Sequence, residues 1–310
     1  MEITETRPTD ITVSQSLLLD KILDNFLADQ DISASSRSTY TRSMKQFKNW
    51  LYQDGREGSL KLQREDILEY KSSLADKSIY TQNLYLTSVR KLYQWLESKK
   101  IYPDITRGIK GAKKPKGFRK DTLTPDQLRQ ALKSIKKRSL EGKRDYAIFN
   151  LMARTGLRDI EVSRALVGDI RQESGQPVLW IQGKGKDIKD DFVLLMEPAM
   201  KPIRDYLKTR GSVHPEEPLF CSVSDRSSGQ PLTTRSISRI VKTALRDIGL
   251  DDSRLTAHSL RHTAISLCIS GGASLQQAQA MARHTDPKTT LIYFHNLERI
   301  SAGAEKFINF

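Results

Sequence analysis

The stretch HTDPKTTLIYFH at residues 284–295 poses the geometric question on which the fold of the C-terminal region depends. Tyr293 follows His284 by nine residues, and Asp286-Pro287 lies between them. Because an α-helix turns about 100° per residue, an unbroken helix would place His284 and Tyr293 on opposite faces. Asp is a common helix cap, and Pro suits the first helical position while pushing the preceding residue out of the helical region. We therefore predict that one helix ends near His284 and another begins at Pro287, so that the two side chains converge. A helical hairpin with a core tyrosine is the alternative interpretation.

The composition indicates a basic protein of two domains. The chain has 310 residues, of which 37% are hydrophobic, enough for two domains with cores of their own. Its 51 Lys and Arg residues exceed the 37 Asp and Glu residues, which gives a net charge of +14 and a pI near 9.7. Such an excess favours a polyanionic partner, most often nucleic acid, although ribosomal and membrane-surface proteins can also be this basic.

The sequence carries no signal for export or membrane insertion. It contains neither an apolar run of about 18 residues nor an apolar N-terminal segment. Cys221 and Cys268 are its two cysteines, and they lack the CxxC spacing of metal and redox sites. We expect both to be reduced, buried thiols in a cytoplasmic protein.

The N-terminal part of the chain is predicted to be a compact four-helix unit that ends near residue 105. Two helices are indicated over 13–28 and 64–76, and two more by apolar residues at helical spacing: Tyr40, Met44, Phe47, Trp50 and Leu51, then Leu86, Val89, Tyr93 and Leu96. Their polar faces carry cations, namely Arg37, Arg42, Lys45, Lys48, Arg90 and Lys91. A solvated face and a DNA-facing surface are both open interpretations of these charges.

A basic segment, GIKGAKKPKGFRKDTLT at 108–124, follows this unit. It lacks apolar periodicity and is rich in Gly, Pro and Lys, which is typical of an extended linker between domains. Helix formation resumes after Thr124-Pro125-Asp126. The domain that follows is predicted to be helical except for one β-hairpin, with strands PVLWI at 177–181 and FVLLM at 192–196.

Two segments of this second domain combine a charged side chain with a tight turn. In ARTGLRDIEVSRAL at 153–166, Gly156 suits a helix end, and Arg158 and Glu161 share a face of the next helix, so the carboxylate can orient the guanidinium. An ordinary surface ion pair is the alternative. In QGKGKDIKDD at 182–191, the glycines around Lys184 allow a tight hairpin tip from which this lysine projects. A solvated lysine is the alternative there.

A third segment, LTAHSLRHT at 255–263, places His258 and Arg261 on one helical face. His258 and His262 have the i, i+4 spacing of helical metal pairs, but no glutamate follows His258 and no acidic third ligand lies nearby. We therefore predict no metal site.

Taken in order, these motifs resemble those of the tyrosine recombinase (phage integrase) family, including the Xer recombinases. The shared pattern is R-x-x-E, a G-K-G hairpin, H-x-x-R-H, and a histidine followed nine residues later by tyrosine. The positions that match the catalytic set of the family are Arg158, Lys184, His258, Arg261, His284 and Tyr293. Two departures are visible: Ala282-Arg283 stands where members often have Leu-Gly, and Glu161 stands where aspartate is frequent.

The resemblance implies a mainly α fold with a small β-hairpin or sheet, arranged as a two-domain DNA clamp. We expect a SAM-like helical core-binding domain over 12–107, a basic linker over 108–121 and the catalytic domain over 122–310. The core-binding unit starts close to the first residue, so we expect no further arm-binding domain before it. Besides the cations of the helical unit, we expect linker residues to contact DNA, namely Lys113, Lys114, Lys116, Arg119 and Lys120.

The chemistry of the family explains why these residue types are needed. Two permanently charged, planar guanidiniums can clamp the non-bridging oxygens of a phosphodiester, which is the role expected of Arg158 and Arg261. Tyr293 is the expected nucleophile, and Lys184 the expected proton donor to the departing 5′-hydroxyl. His258 is expected to assist proton transfer and His284 to hydrogen-bond the phosphate; His295 is given no role. The phosphotyrosine bond conserves the energy of the broken link, so no metal, ATP or other cofactor is expected.

The expected partner is double-stranded DNA with specific core sites, bound by a homotetramer that exchanges strands through a Holliday junction. Free protein is expected to be monomeric or weakly associated, and the resemblance allows for an accessory directionality factor. Ile300, Phe307 and Ile308 suit docking on a neighbouring subunit, with packing on their own domain as the alternative. Two rival functions share this pattern in part: a type IB topoisomerase, and a non-catalytic DNA-binding protein of the same fold.

Overall fold

The structure is a computed structural model that describes residues 8–53, 59–113, 121–301 and 303–308. The chain divides into two compact units, residues 1–116 and 117–310. Both units are mostly helical, and a small antiparallel sheet belongs to the second unit. The predicted fold class, mainly α with a small sheet, is confirmed.

The first unit contains the four predicted helices, α1 (Pro8–Ala28), α2 (Ala34–Leu51), α3 (Arg64–Ser73) and α4 (Ile79–Ser98). Serine hydroxyls cap α2 and α4, where Ser33 accepts from the amide of Ser36 and Ser78 from that of Thr81. The buried core combines aliphatic and aromatic side chains, and Tyr70 makes edge-on contacts with Phe47 and Trp50. Apolar side chains from all four helices thus form one shared core.

The chain that follows α4 packs back on this unit. Ile109 is 4% exposed within the core, and the amide of Asn83 donates to the carbonyl of Ala112 at 2.9 Å. A Cβ at Gly111 would lie 2.0 Å from Asn83 Oδ1, so a larger residue there would displace the Asn83 side chain. The first residues of the predicted linker therefore belong to the surface of the first unit. Lys114, Lys116, Arg119 and Lys120 lie outside the described residues.

The second unit arranges its helices around α6 and the sheet. Its elements in chain order are α5 (Pro125–Ser134), α6 (Leu140–Thr155), α7 (Asp159–Arg164), β1 (Ile170–Glu173), β2 (Gln176–Ile181), β3 (Asp191–Leu194), α8 (Glu197–Arg210), α9 (Thr234–Arg246), α10 (Ala257–Ser270), α11 (Leu275–Ala282) and α12 (Pro287–Ser301). Helix α6 packs against α8 and α10, and Ile148, Leu151 and Met152 on it are fully buried. This central position fixes the C-terminal end of α6, from which the candidate site is built.

The sheet has the order β1-β2-β3, with both pairs antiparallel. Leu179 on β2 lies opposite Ile170 on β1 and Val193 on β3, so these three apolar side chains share one face of the sheet. The predicted hairpin is β2 and β3, while β1 is an additional strand. Its sequence, IRQE, has no apolar alternation, and so periodicity did not predict it.

One prediction about the cysteines is wrong in part. Cys221 is buried as expected, but Cys268 is half-buried, because it lies near the C-terminal end of α10 where the helix leaves the core. Its thiol donates to the carbonyl of Ile265. Among the residues that the structure describes, no helix is both long and apolar enough to cross a bilayer.

Candidate active site

The junction between α6 and α7 supplies the first arginine and its carboxylate. Gly156 ends α6 in the left-handed conformation with φ 62°, which glycine adopts without strain. The chain then turns so that Arg158 becomes the N-cap residue of α7. Arg158 Nη1 donates to Glu161 Oε1 at 2.8 Å, and the Arg158 amide donates to Oε2 at 2.7 Å. Glu161 is fully buried while the Arg158 side chain is 28% exposed, so the carboxylate anchors a guanidinium that faces solvent.

The second arginine, Arg261, lies on α10 and is 2% exposed. Its Nη1 donates to the carbonyl of Gly156 at 2.7 Å, and its Nη2 donates to the carbonyl of Ala282. Burial, followed by the charges of Arg158 and Arg283, lowers the pKa of Arg261 to about 9. That value is well above neutrality, so Arg261 remains charged beside Arg158. Two adjacent cations that repel each other in this way form an anion site.

The helical conformation is interrupted between α11 and α12, as the sequence predicts. Helix α11 ends at Ala282 and α12 begins at Pro287. As a result, the ring of His284 stacks on that of Tyr293, with centroids 6.2 Å apart and planes inclined by 24°. His284 Nδ1 lies 2.9 Å from Thr290 Oγ1. Burial and the charges of the neighbouring arginines lower the pKa of His284 to about 4, so the ring is neutral at physiological pH.

Tyr293 is 2% exposed, and its hydroxyl lies 2.5 Å from Nδ1 of His262. Burial raises the pKa of Tyr293 to about 12, although the charges of Arg261 and Arg158 oppose that rise. Burial also lowers the pKa of His262 to about 4, with smaller contributions from neighbouring charges. A neutral imidazole therefore contacts a neutral phenol.

His262 is a site residue that the sequence reasoning missed, because it was considered only as half of a metal pair. The signal that would have found it is the i, i+4 step from His258, which places the two rings in edge contact with centroids 4.6 Å apart. His258 itself is exposed. His262 thus lies between His258 and the hydroxyl of Tyr293. His295, which was given no role, is exposed on α12.

The hairpin tip between β2 and β3 carries three lysines with different environments. Lys186 pairs with Asp190 at 2.5 Å, and Lys189 pairs with Asp169 at 2.6 Å. Lys184 is exposed and has no hydrogen bond or ion pair within the described part of the chain. It lines the same cavity as Arg158, Glu161 and His284, which makes it the hairpin ammonium that remains available for another partner.

The cations predicted to contact DNA in the first unit have diverse environments. Arg37 donates to the carbonyl of Gln30 at 3.1 Å, Arg90 donates to that of Ile109, and Lys48 pairs with Asp20 at 2.5 Å. These three side chains stabilise their own unit. The remaining predicted cations that the structure describes are exposed: Arg42, Lys45, Lys91 and Lys113.

Helix α9 presents a basic face that the sequence reasoning did not single out. Arg235, Arg239, Lys242 and Arg246 recur at helical spacing opposite a buried apolar face. The helix packs against α7, and Asp159, which follows Arg158, lines the same surface groove as these cations. The sequence signal for this face is the spacing of its four cations, which follow one another after four, three and four residues. A basic surface thus lies along α9, next to the start of α7.

Comparisons with known proteins find family matches in both units. A model described as the phage integrase family matches residues 121–299, and one described as the phage integrase N-terminal SAM-like domain matches residues 20–100. A tyrosine recombinase of Synechococcus elongatus is 28% identical over 280 residues, which cover 86% of each chain.

Two solved structures share the fold. The XerH site-specific recombinase bound to palindromic difH substrate gives a TM-score of 0.70 at 21% identity, covering 87% of this chain and 80% of that one. A lambda integrase dimer bound to a COC′ core site gives 0.71 at 16% identity, covering 88% and 94%. The likeness extends over most of both units of this chain.

Proposed function

Because this chain belongs to the phage integrase family of tyrosine recombinases, we propose that it is a site-specific recombinase acting on duplex DNA. It cleaves and rejoins strands through a 3′-phosphotyrosyl intermediate and a Holliday junction, with integration, excision or resolution as the outcome. The observation that carries this proposal is the convergence of Arg158, Arg261, His284 and Tyr293 on one site in the second unit.

The geometry supports a division of roles at the scissile phosphate. Arg158 and Arg261 stabilise the charge that grows on the non-bridging oxygens, and Glu161 orients Arg158. His284, neutral and stacked on Tyr293, hydrogen-bonds the phosphate. Tyr293 attacks phosphorus and releases the 5′-oxygen of the next nucleotide.

Protons are moved by this chain's own side chains. Lys184 donates to the departing 5′-oxygen, a role supported by its exposure and by the pairing of Lys186 and Lys189 with carboxylates. His258, whose ring contacts that of His262 beside the Tyr293 hydroxyl, accepts the proton that leaves Tyr293 as it attacks. Since the phosphotyrosine bond conserves the energy of the broken link, the reaction as proposed requires neither metal nor ATP.

Both units are proposed to bind the duplex. The proposed division is a core-binding domain over 12–107, a basic linker over 108–121 whose first residues pack on the first unit, and a catalytic domain over 122–310. The two family matches, at 20–100 and 121–299, support it. The exposed cations Arg42 and Lys45 on α2 and Arg235 and Arg239 on α9 supply phosphate contacts in the two units.

The working assembly is proposed to be a homotetramer on two synapsed sites, formed from free monomers or weakly associated chains. A lambda integrase tetramer has been solved on a Holliday junction, and its fold matches this chain with a TM-score of 0.69. The C-terminal tail supports the proposal, because Phe307 and Ile308 are 80% and 60% exposed and suit docking on a neighbouring subunit. The side chain of Ile300 lies outside the described residues.

Two rival functions make different experimental predictions. A type IB topoisomerase would relax supercoiled DNA without defined sites, whereas a recombinase cleaves at discrete positions. A non-catalytic DNA-binding protein would form no covalent complex, even when vanadate or detergent is used to trap one. The intact set of catalytic residue types favours the recombinase.

Covalent trapping tests the proposal directly. Duplex fragments of the source genome are incubated with the protein, quenched with detergent and sequenced at protein-linked ends. Wild-type protein should form adducts at discrete sites, and Tyr293→Phe should form none while still binding DNA. Tyr206→Phe, which removes another buried hydroxyl of the same unit, is the matched control and should retain the adduct. An adduct in Tyr293→Phe, mapped to another tyrosine, would overturn the assignment.

A further inference from the structure

Arg283, the residue immediately before His284, has an unusual backbone conformation. It ends α11 with φ 53° and ψ 46°, the left-handed region in which a residue with a Cβ is strained. Glycine is the usual residue at such helix ends. A strained arginine persists only where its side chain makes interactions that hold it there.

Those interactions are buried. The Arg283 side chain is only 6% exposed, and its Nη2 donates to Glu161 Oε2 at 2.9 Å. The same nitrogen lies 3.3 Å from the carbonyl of Gly156, and Nη1 donates to the carbonyl of Met281 at 2.5 Å. Arg283 thus joins the break between α11 and α12 to the turn between α6 and α7.

Glu161 therefore serves two arginines with its two oxygens. Oε1 accepts from the Arg158 guanidinium, and Oε2 accepts from both the Arg158 amide and Arg283. Burial alone would raise the pKa of Glu161. The charge of Arg283 is the strongest influence against that rise, followed by the amide and charge of Arg158, and together they lower the pKa below its ordinary value.

One donor of the Arg283 side chain makes no hydrogen bond to the described residues. Its Nε is buried and has no hydrogen-bond partner there. An unpaired buried donor and a strained backbone both disfavour the folded state, so stability alone does not explain this arginine. Its position between Glu161 and His284 connects it with the phosphate site instead.

We propose that Arg283 is a positioning residue for strand cleavage: it holds Glu161 in place, and Glu161 in turn aims Arg158 at the scissile phosphate. This inference rests on the proposed recombinase function. Arg283 does not contact the reacting atoms in this arrangement; it acts through the carboxylate that it shares with Arg158.

The inference has a pH signature. The ionisable groups that face Glu161 or line its cavity are Arg158, Arg261, Arg283, His284, Lys184 and Asp191, together with the mutually paired Lys186 and Asp190. Because Arg283 lowers the pKa of Glu161, its removal should let that carboxylate protonate at higher pH. The acidic limb of the cleavage rate should then move upward in pH.

Arg283→Gly is the informative variant, because glycine accepts φ 53° and so preserves the turn while removing the side chain. Single-turnover cleavage is measured on a nicked duplex that carries a site mapped by covalent trapping. We expect a loss of about tenfold or more, the order seen when a group that orients a ligand is removed. Arg283→Lys keeps the positive charge but loses the two-nitrogen guanidinium geometry, so its cleavage rate should lie between those of Arg283→Gly and the wild type. Arg210→Ala, which removes a largely buried arginine paired with Glu217, is the control and should leave the pH profile unchanged.

Glu161→Gln tests whether Arg283 acts through the Glu161 carboxylate or on another group. When Glu161→Gln is already present, adding Arg283→Gly should lower the cleavage rate little further, and the shift of the acidic limb of the pH profile should vanish. Additive losses would mean that Arg283 acts on the phosphate itself, and a persistent shift would assign it to His284; either result overturns the inference. So would wild-type cleavage by Arg283→Gly.

A DNA-free measurement distinguishes this inference from the proposed function. Glu161 has a lowered pKa in the folded state, so the stability it contributes is present above the unfolded value, about 4.3, and is lost as the pH falls through the folded value. The coupling between Arg283→Gly and Glu161→Gln in Tm should therefore be present at pH 7 and shrink below pH about 4. Absence of this coupling would overturn the inference even in an active enzyme. Wild-type protein that forms no adduct on any DNA would instead overturn the proposed function.

Discussion

At the scale of single residues, the nucleophile has a protonation problem that its surroundings define. Tyr293 is 2% exposed, and burial raises its pKa to about 12. Very little phenolate is present at neutral pH, so the proton leaves as the bond to phosphorus forms. The group in contact with that proton is His262 Nδ1, at 2.5 Å from the hydroxyl. We infer that His262, neutral because burial lowers its pKa to about 4, accepts the hydrogen bond and aims the hydroxyl.

Replacement of His262 tests this inference. An asparagine side chain places an amide oxygen close to the position of Nδ1, whereas glutamine places it close to Nε2. His262→Ala should lower single-turnover cleavage by on the order of tenfold, the worth of one buried hydrogen bond, without weakening duplex binding. His262→Asn should recover most of the rate and His262→Gln should not. Recovery by glutamine alone would contradict contact through Nδ1.

At the scale of elements, short-range chemistry predicts where helices end. Asp286-Pro287 predicts the break between α11 and α12, and this break is what stacks His284 on Tyr293. Gly156 likewise predicts the end of α6. These signals lie within a few residues of the feature that they determine, so a single sequence contains them.

Contacts between segments that are far apart in the chain could not be predicted from the sequence. Arg283 and Glu161 are 122 residues apart, and His262 and Tyr293 are 31 apart. The first pair forms because the end of α11 lies beside the start of α7, and the second because α10 packs against α12. Helical periodicity specifies neither arrangement. Strand β1 was missed for a related reason, since its polar residues are held by pairing with β2 rather than by their own pattern.

The hairpin between β2 and β3 yields a prediction at this scale. Lys184→Ala should lower cleavage of ordinary DNA by roughly a hundredfold or more, because a 5′-alkoxide leaves poorly without a proton. Replacing the bridging 5′-oxygen by sulfur should restore the rate, since a thiolate leaves without protonation. Single-turnover cleavage of matched oxygen and sulfur substrates measures both effects.

The neighbouring lysine provides the matched control for the hairpin. Lys186 pairs with Asp190, so Lys186→Ala should cleave the oxygen substrate at a rate close to the wild type. Tyr293→Phe should gain nothing from sulfur, because the attacking hydroxyl is absent. If sulfur rescues Lys186→Ala and not Lys184→Ala, the donor has been assigned two residues too early. Rescue of neither variant would point to His258.

At the scale of the whole molecule, the net charge is +14, and the cations differ in whether a carboxylate neutralises them. Many exposed cations are neutralised by a carboxylate, as Lys77 is by Asp76 at 2.5 Å. Others have no such partner among the described residues, including Arg42 and Lys45 on α2 and Arg235 and Arg239 on α9. Cations without a protein partner release the most counterions when they meet phosphate, so these four residues are expected to contribute strongly to the affinity for DNA.

The salt dependence of binding tests this expectation. Tyr293→Phe is used throughout so that binding is measured without cleavage, by fluorescence anisotropy on a labelled duplex between 50 and 200 mM salt. Log Kd should rise linearly with log salt, with a slope of about 0.9 for each phosphate neutralised. Arg42→Ala and Arg239→Ala should each weaken binding and reduce the slope by roughly one, because each removes one phosphate contact. Lys77→Ala, whose ammonium is already paired, should change neither quantity. A control variant that reduces the slope as much as Arg42→Ala would mean that net charge alone, and not these faces, binds the duplex.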